Sequence, residues 1–291
     1  MSIAERIEAL GHCSLIGTYP AGSPEWLAQR ESGIGGSEVG SILGLSPYVS
    51  AVTLFYQKLG VIPPQETTTA MMLGNLLEPG IIEAFKVEFP TIKVHHENLT
   101  FASLEDPRFR ANPDAIIEDQ NGNLSILEIK HTSQYWTEIP QHYRYQVLWY
   151  QYVTGLRNPA TLYAVTGGSL RAFTVEWDES LMQLVKTAVK AFCDLLEAGT
   201  PPSYDGSDST YQTIRELAPG IKDEEVELSC GLELMAAKVM FDAAEKNLQK
   251  YKSMAMEEMD GARIGLYNGK PLVQLSVRGE GKPFITFTKG N

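Results

Sequence analysis

Apolar residues recur along this chain with two periods, and the switch between them marks its organisation. In the first third the spacing is helical. Ile3 to Leu10 predicts a short helix closed by Gly11, Ala51 to Leu59 a second stopped by Gly60, and Met71 to Phe89 a longer one with Glu78 inside it. The stretch from Trp26 to Gly44 turns at Gly35-Gly36-Ser37 into an apolar-periodic segment, which makes Ser37 a candidate N-cap. The middle changes to short alternating runs. Asp114 to Glu118 and Ser125 to Lys130 read as strands joined across Asn121-Gly122, a strong hairpin signal. Ile139 to Thr154 follows as an aromatic-rich helix. Ala160 to Val165 and Leu170 to Glu176 form a further strand pair across Gly167-Gly168, and Leu181 to Glu197 is an amphipathic helix.

The Gly199 to Tyr204 stretch, with Pro201-Pro202, is the best boundary candidate, so two regions are expected, 1–200 and 201–291. Beyond it, Glu224 to Met259 predicts a long helix, and Asn268-Gly269 a final β-hairpin. Helices, then a hairpin-rich sheet, then helix and strands make a mixed α/β (α+β) protein with a central mixed sheet flanked by helices and a C-terminal helix-plus-hairpin appendage.

Composition narrows the function classes. The 291 residues are 43% hydrophobic and 21% charged, which describes a globular chain. No apolar run is long enough to span a bilayer, and the N-terminus has no apolar signal core, so a cytoplasmic protein without membrane association is expected. Cys13, Cys193 and Cys230 are too scattered for a disulfide framework or a Cys-rich zinc site. The net charge of −12 runs against broad nonspecific nucleic-acid binding, yet suits a protein that holds divalent cations with carboxylates.

Chemistry concentrates in Asn112-Pro113-Asp114 and Leu127-Glu128-Ile129-Lys130. Side chains alternate along a strand, so Glu128 and Lys130 share one face and Leu127 and Ile129 the other. With Asp114 opening the preceding strand of the same hairpin, two carboxylates and a lysine converge. Carboxylate oxygens suit Mg²⁺ or Mn²⁺, and a lysine beside such ions can orient an attacking water and neutralise developing phosphate charge. An ordinary exposed polar face would also explain these residues. The apolar neighbours Ile126, Leu127 and Ile129 favour a core strand, where ionised groups are costly unless paired or metal-bound.

Pro113-Asp114 followed by Glu128-Ile129-Lys130 resembles the PD-(D/E)xK nuclease signature. Four flanking blocks sharpen the likeness: Arg30 with Ile34-Gly-Gly-Ser37, Gly44-Leu-Ser-Pro-Tyr48, Gly74-Asn-Leu-Leu-Glu78 and Tyr143-Arg-Tyr-Gln146. In this order they resemble the YqaJ-type viral recombinases, relatives of phage lambda exonuclease. The likeness covers about residues 26 to 178, and nothing in 205–291 belongs to it.

The resemblance implies a restriction-endonuclease-like core with two metal ions at the edge of the sheet. Asp114, Glu128 and the backbone carbonyl of Ile129 would hold the metal, and Glu78 would complete the site. Lys130 would position the water. Gln146 would hydrogen-bond a metal-bound water or fix Lys130. Arg30 and Ser37 would receive the DNA 5′-phosphate. Each has a plainer alternative: a solvated helix residue for Glu78, a satisfied helix amide for Gln146, a simple helix cap at Gly35-Gly36-Ser37. His131, on the opposite strand face from Lys130, reads as structural. The implied activity is metal-dependent 5′-to-3′ digestion of linear duplex DNA with free ends, leaving 3′ single strands for recombination. A single-strand annealing protein of the RecT, Bet or Erf type would use those strands, and copies of the chain would form a ring around the duplex.

Between residues 30 and 146 there are 8 Lys and Arg against 14 Asp and Glu, so Arg30, Arg108, Arg110, Lys130 and Arg144 must face Asp114 and Glu128 if DNA binds there. Two other readings compete. An iron–sulfur relative, like the CRISPR-associated adaptation nucleases, needs four cysteine ligands where the chain has 3. A catalytically dead nuclease fold serving DNA binding or assembly would have no need of the intact Asp114, Glu128 and Lys130.

Overall fold

The computed structural model describes residues 1–20 and 22–288. The chain falls into two compact units, Met1–Pro219 and the residues from Gly220 onward. In chain order the first unit contains α1 (Ile3–Glu8), β1 (Cys13–Thr18), α2 (Pro24–Glu31), α3 (Gly36–Ile42), α4 (Ala51–Lys58), α5 (Thr69–Glu88), β2 (Lys93–His95), β3 (Leu99–Ser103), β4 (Arg110–Ala111), β5 (Ala115–Glu118), β6 (Leu124–Thr132), α6 (Gln141–Thr154), β7 (Ala160–Thr166), β8 (Ser169–Val175), α7 (Glu179–Ala198) and α8 (Asp208–Leu217). The second contains α9 (Gly231–Met259), β9 (Ile264–Tyr267), β10 (Lys270–Ser276) and β11 (Phe284–Phe287).

The central sheet of the first unit has the order β2-β5-β6-β7-β8. Strands β6 and β7 are parallel and the other neighbours antiparallel, so the expected mixed α/β sheet is present. A parallel pair cannot be joined by a tight turn, and α6 makes the crossover. The sheet is covered on both faces, which explains why Ile126, Leu127 and Ile129 form a nearly unbroken apolar run. Ile126 and Leu162 meet Val147, Leu148 and Trp149 of α6 on one face. Leu127, Ile129 and Tyr163 meet Ile81, Ile82 and Phe85 of α5 on the other. The alternation then turns Glu128 and Lys130 toward the α6 side. The β5–β6 hairpin turns where expected: Gly122 has φ +83°, and Asp119 accepts from the amides of Asn121 and Asn123.

A smaller sheet, β1-β3-β4, packs its Phe101 and Ala111 against α6. Trp149 ties the two layers by donating its indole N–H to the carbonyl of Arg110 at 3.0 Å. These short strands carry little alternation, and the periodicity along the chain does not reveal them.

The first unit extends beyond the Pro201-Pro202 loop to Pro219. Helix α8 is held on α4 by buried hydroxyls: Thr53 bonds Thr213 at 2.8 Å and Ser209 at 2.7 Å, and Thr210 donates to Ser50 at 2.8 Å. In the second unit the hairpin at Asn268-Gly269 forms, and β11 adds to it, so the appendage is a helix with a three-stranded sheet, β11-β10-β9. The end of α9 packs Ala255, Met256 and Met259 on Val273 and Ile285. Among the described residues no helix is long and apolar enough to cross a membrane.

Candidate active site

Register brings the acidic pair together. Ala115 pairs with Leu127, so Asp114, just before β5, lies beside Glu128 and Ile129 of β6. The amide of Ile129 donates to Oδ2 of Asp114 at 2.7 Å. Glu128 is 0% exposed, in the middle of a central strand. Its Oε1 accepts from Nζ of Lys130 at 2.5 Å and from the side-chain amide of Gln146 at 2.6 Å. Its Oε2 is buried with no hydrogen-bond partner. Gln146 reaches Glu128 from α6 and also donates to the hydroxyl of Tyr150 at 3.0 Å. The geometry therefore has Gln146 fixing Glu128 rather than Lys130. The ammonium of Lys130 lies 5.1 Å from the ring centroid of Tyr143.

Glu78 arrives from the opposite side, on α5. Oε1 of Glu78 lies 3.4 Å from Nε2 of His96, which follows β2. The next residue, Pro79, has no N–H for the carbonyl of Asn75 one turn earlier, so the helix is open where Asn75 and Glu78 face the site. His131 is exposed and takes no part.

Arg30 and Ser37 flank the same space. Arg30 donates from Nη2 to Oγ of Ser37 at 3.0 Å, with its guanidinium 4.6 Å from the ring centroid of Trp26. Ser37 is not the N-cap. Gly35 takes that place, and Glu38 accepts from the Gly35 amide at 2.8 Å. The hydroxyl of Ser37 is thus left exposed at the start of α3. A buried lysine sets this turn: Lys58 donates to the carbonyls of Arg30 at 2.5 Å and Gly33 at 2.6 Å and pairs with Glu38 at 2.8 Å. Gly36 is required here, since an added Cβ would sit 2.6 Å from the Tyr150 ring and 2.9 Å from the Gln146 carbonyl.

One cavity of about 160 Å³ joins these parts. Arg30, Ser37, Glu78, Asp114, Glu128, Lys130 and Gln146 all line it. So do Tyr19, Trp26, Asn75, Asn98, Asn112 and Tyr150, none of which the sequence reading singled out as site residues. Trp26, Asn75 and Tyr150 share α2, α5 and α6 with Arg30, Glu78 and Gln146, and Asn112 stands two residues before Asp114, while Tyr19 and Asn98 come from segments that hold no other site residue. The expected basic cluster does not form. Arg108 is bound to Asp106 and Glu197, Arg110 lies with its Nε buried, and Arg144 is exposed on α6; none of the three lines the cavity. Only Arg30 and Lys130 of the five line the cavity with the carboxylates, which weighs against duplex binding at this site by one copy alone.

The electrostatics describe carboxylates held short of positive charge. Burial, then the charge of Asp114, pushes Glu128 up to about 8. Burial, then Asp114, pushes Glu78 up to about 7, against the pull of Lys130. Burial also raises Asp114, although Lys130 and the Ile129 amide favour its charged form. For Lys130, burial favours the neutral amine, but Glu128 and Asp114 outweigh it and raise its pKa. Three carboxylates around one cavity thus resist ionising together, with one lysine among them. Among the described residues no three His, Cys, Asp or Glu side chains form a ready-made metal cage. Magnesium needs none, because it binds through one or two carboxylates and keeps its waters. The free Oε2 of Glu128, the Asp114 carboxylate and the mutual repulsion all fit a divalent cation.

Residues 25–157 match the model of the YqaJ-like viral recombinase domain. The chain is 31% identical over 202 residues to the uncharacterized protein YqaJ of Bacillus subtilis (strain 168), covering 66% of this chain and 62% of that protein. The chain thus spans under two thirds of the length of the curated relative it matches. Among solved structures, an alkaline exonuclease from Laribacter hongkongensis is similar with TM-score 0.47 and 21% identity, over 67% of this chain and 100% of that one. The same exonuclease in complex with dAMP gives TM-score 0.49 and 19% identity, with 67% and 100% coverage.

Proposed function

We infer, from the match of residues 25–157 to the YqaJ-like viral recombinase domain, that the chain is a Mg²⁺- or Mn²⁺-dependent deoxyribonuclease that digests linear duplex DNA from its 5′ ends. The 3′ single strands it leaves would pass to a single-strand annealing protein in phage-type recombination, in the cytoplasm of a bacterial host. The observation that carries this reading is the single cavity that holds Arg30 and Ser37 at one side and Asp114, Glu128 and Lys130 at the other.

Asp114, Glu128 and the Ile129 carbonyl would hold two divalent ions, with Glu78 completing the set. When bound, such ions lower the pKa of water and stabilise the charge that builds on the phosphate. The residues of the chain do the rest. Gln146 and Lys130 clamp Oε1 of Glu128, which fixes the carboxylate and leaves its buried Oε2 without a partner. Lys130, cationic beside two carboxylates, orients the attacking water and faces the scissile phosphate. Arg30 offers a planar pair of donors to a terminal phosphate, and Ser37 adds a hydroxyl. Holding the end phosphate there sets which phosphodiester lies over the carboxylates. The acidic surface leaves duplex contacts to be gathered from several copies, as in a ring around the DNA.

The test uses linear duplexes that carry or lack a 5′-phosphate, beside a closed circle, in Mg²⁺ or EDTA. The reading expects nucleotides only from linear DNA, only with Mg²⁺, and faster from phosphorylated ends. Cleavage of the circle, or indifference to the 5′-phosphate, would contradict it.

A further inference from the structure

Helix α9 has one face that is covered at one end only. Ala255, Met256 and Met259 rest on Val273 and Ile285 of the small sheet. The same face continues toward the N-terminus as Tyr251, Leu248, Ala244, Phe241, Ala237 and Leu234, alternating steps of three and four residues. That is the seven-residue repeat of helices that pack on another helix. All six are exposed, with Leu234 at 59%, Phe241 at 62%, Leu248 at 43% and Tyr251 at 60%. An exposed helix of this length gains little from propensity alone, because helical stability in proteins comes mostly from packing of the apolar face.

We propose that α9 pairs antiparallel with α9 of a second copy of this chain. The bare stretch runs from Gly231, where the helix begins, to Met254, where the covered end begins. Laid antiparallel with Gly231 of one copy opposite Met254 of the other, each helix covers the bare length of its partner and stops at the sheet. In that register Leu234 meets Tyr251, Ala237 meets Leu248 and Phe241 meets Ala244. In the central layers a large side chain faces an alanine, as close packing of two helices needs. The same register brings Lys238 of each copy, which pairs with Asp242 one turn along its own helix at 2.5 Å, beside Glu245 of the other, so the flanking charges are complementary twice over. Leu232, Met235 and Val239, on the opposite side of the first turns, lie outside this contact. A two-fold contact of this kind links copies in pairs and cannot close a ring of more than two, so it is separate from any encirclement of DNA.

The experiment is sedimentation equilibrium of the full chain, with Lys238→Glu, Glu245→Lys, both together, and Phe241→Glu. Circular dichroism and Mg²⁺-dependent DNA cleavage confirm that each variant is folded. Each single reversal sets two like-charged pairs in the contact and is expected to weaken pairing about tenfold. The double reversal restores it to within about threefold, and Phe241→Glu abolishes it. A wild-type chain that stays monomeric, or a pairing indifferent to the single reversals, or a double reversal no better than the singles, overturns the proposal. A wild type that pairs normally but cleaves no DNA would instead count against the nuclease reading alone.

Discussion

Gln146 donates its side-chain amide to Oε1 of Glu128 at 2.6 Å, on the oxygen that Lys130 also holds, and so leaves Oε2 of the same carboxylate free. A helix residue outside the acidic motif therefore sets the direction of a buried strand carboxylate. Gln146→Leu removes this donor at nearly constant volume. The expected result is a loss of metal affinity or turnover of about 10–100-fold, as for residues that orient a metal ligand. A Mg²⁺ titration of nuclease activity checks it, and an unchanged titration curve would show that Lys130 alone suffices.

The carboxylate cluster is expected to make the protein, without added metal, sensitive to alkali. Glu128 is pushed up to about 8 and Glu78 to about 7, both mainly by burial. Folded-state values above the unfolded ones favour folding most at low pH, and that contribution is lost as pH rises toward 8. The Tm of metal-free protein should therefore fall between pH 6 and pH 8, and Glu128→Gln should flatten the fall and raise the Tm near pH 8. Mg²⁺ should raise the Tm of the wild type at pH 8 and do so much less in Glu128→Gln. Asp106, held below the usual carboxylate range by Arg108, has the opposite sign and acts only in acid. A metal-free Tm that rises from pH 6 to pH 8 would contradict this account of the site.

Arg30 is expected to set the proposed preference for phosphorylated ends. Arg30→Ala should remove most of the rate difference between 5′-phosphate and 5′-hydroxyl duplexes, a change on the order of tenfold or more for a lost charged bidentate contact. Arg30→Lys should restore little, because an ammonium cannot reproduce the planar pair of donors. Rates on the two substrates for each variant decide it. A preference that survives Arg30→Ala would place the end phosphate elsewhere.

Lys58 supports that corner without lining the cavity. Its side chain is buried and satisfies Glu38 and the carbonyls of Arg30 and Gly33. Lys58→Met keeps the aliphatic stem but leaves these acceptors unpaired. The expected cost is about 3–5 kcal/mol in urea unfolding, together with a weakened 5′-phosphate preference. A cost below about 1 kcal/mol would mean that the turn holds without it.

The parts of the site that share one strand ribbon were legible in the chain. A two-residue period puts Glu128 and Lys130 on one face, and hairpin register brings Asp114 to them. Arg30, Ser37, Glu78 and Gln146 were reached only through resemblance, because they lie on separate helices and no local pattern states where those helices cross the sheet. His96, Lys58 and Tyr150 escaped altogether. Each is a single residue in an otherwise ordinary segment, and its meaning depends on packing between distant elements. The reading of Ser37 as N-cap failed for a local reason: Gly35 takes the extended conformation and Glu38 supplies the capping carboxylate. The expected cluster of arginines failed because Arg108 is occupied by nearer acids.

The central claim is that Asp114, Glu128 and Lys130 together cut DNA backbone with a divalent metal. Its most direct test is the release of acid-soluble nucleotide from linear duplex DNA in Mg²⁺ by the wild type, Asp114→Asn and Lys130→Ala, each shown folded by its Tm. Steady release by the wild type, with a loss of about 10²-fold or more in both variants, is the predicted result. Undiminished release by either variant, or no release by the wild type from any linear duplex, would contradict it.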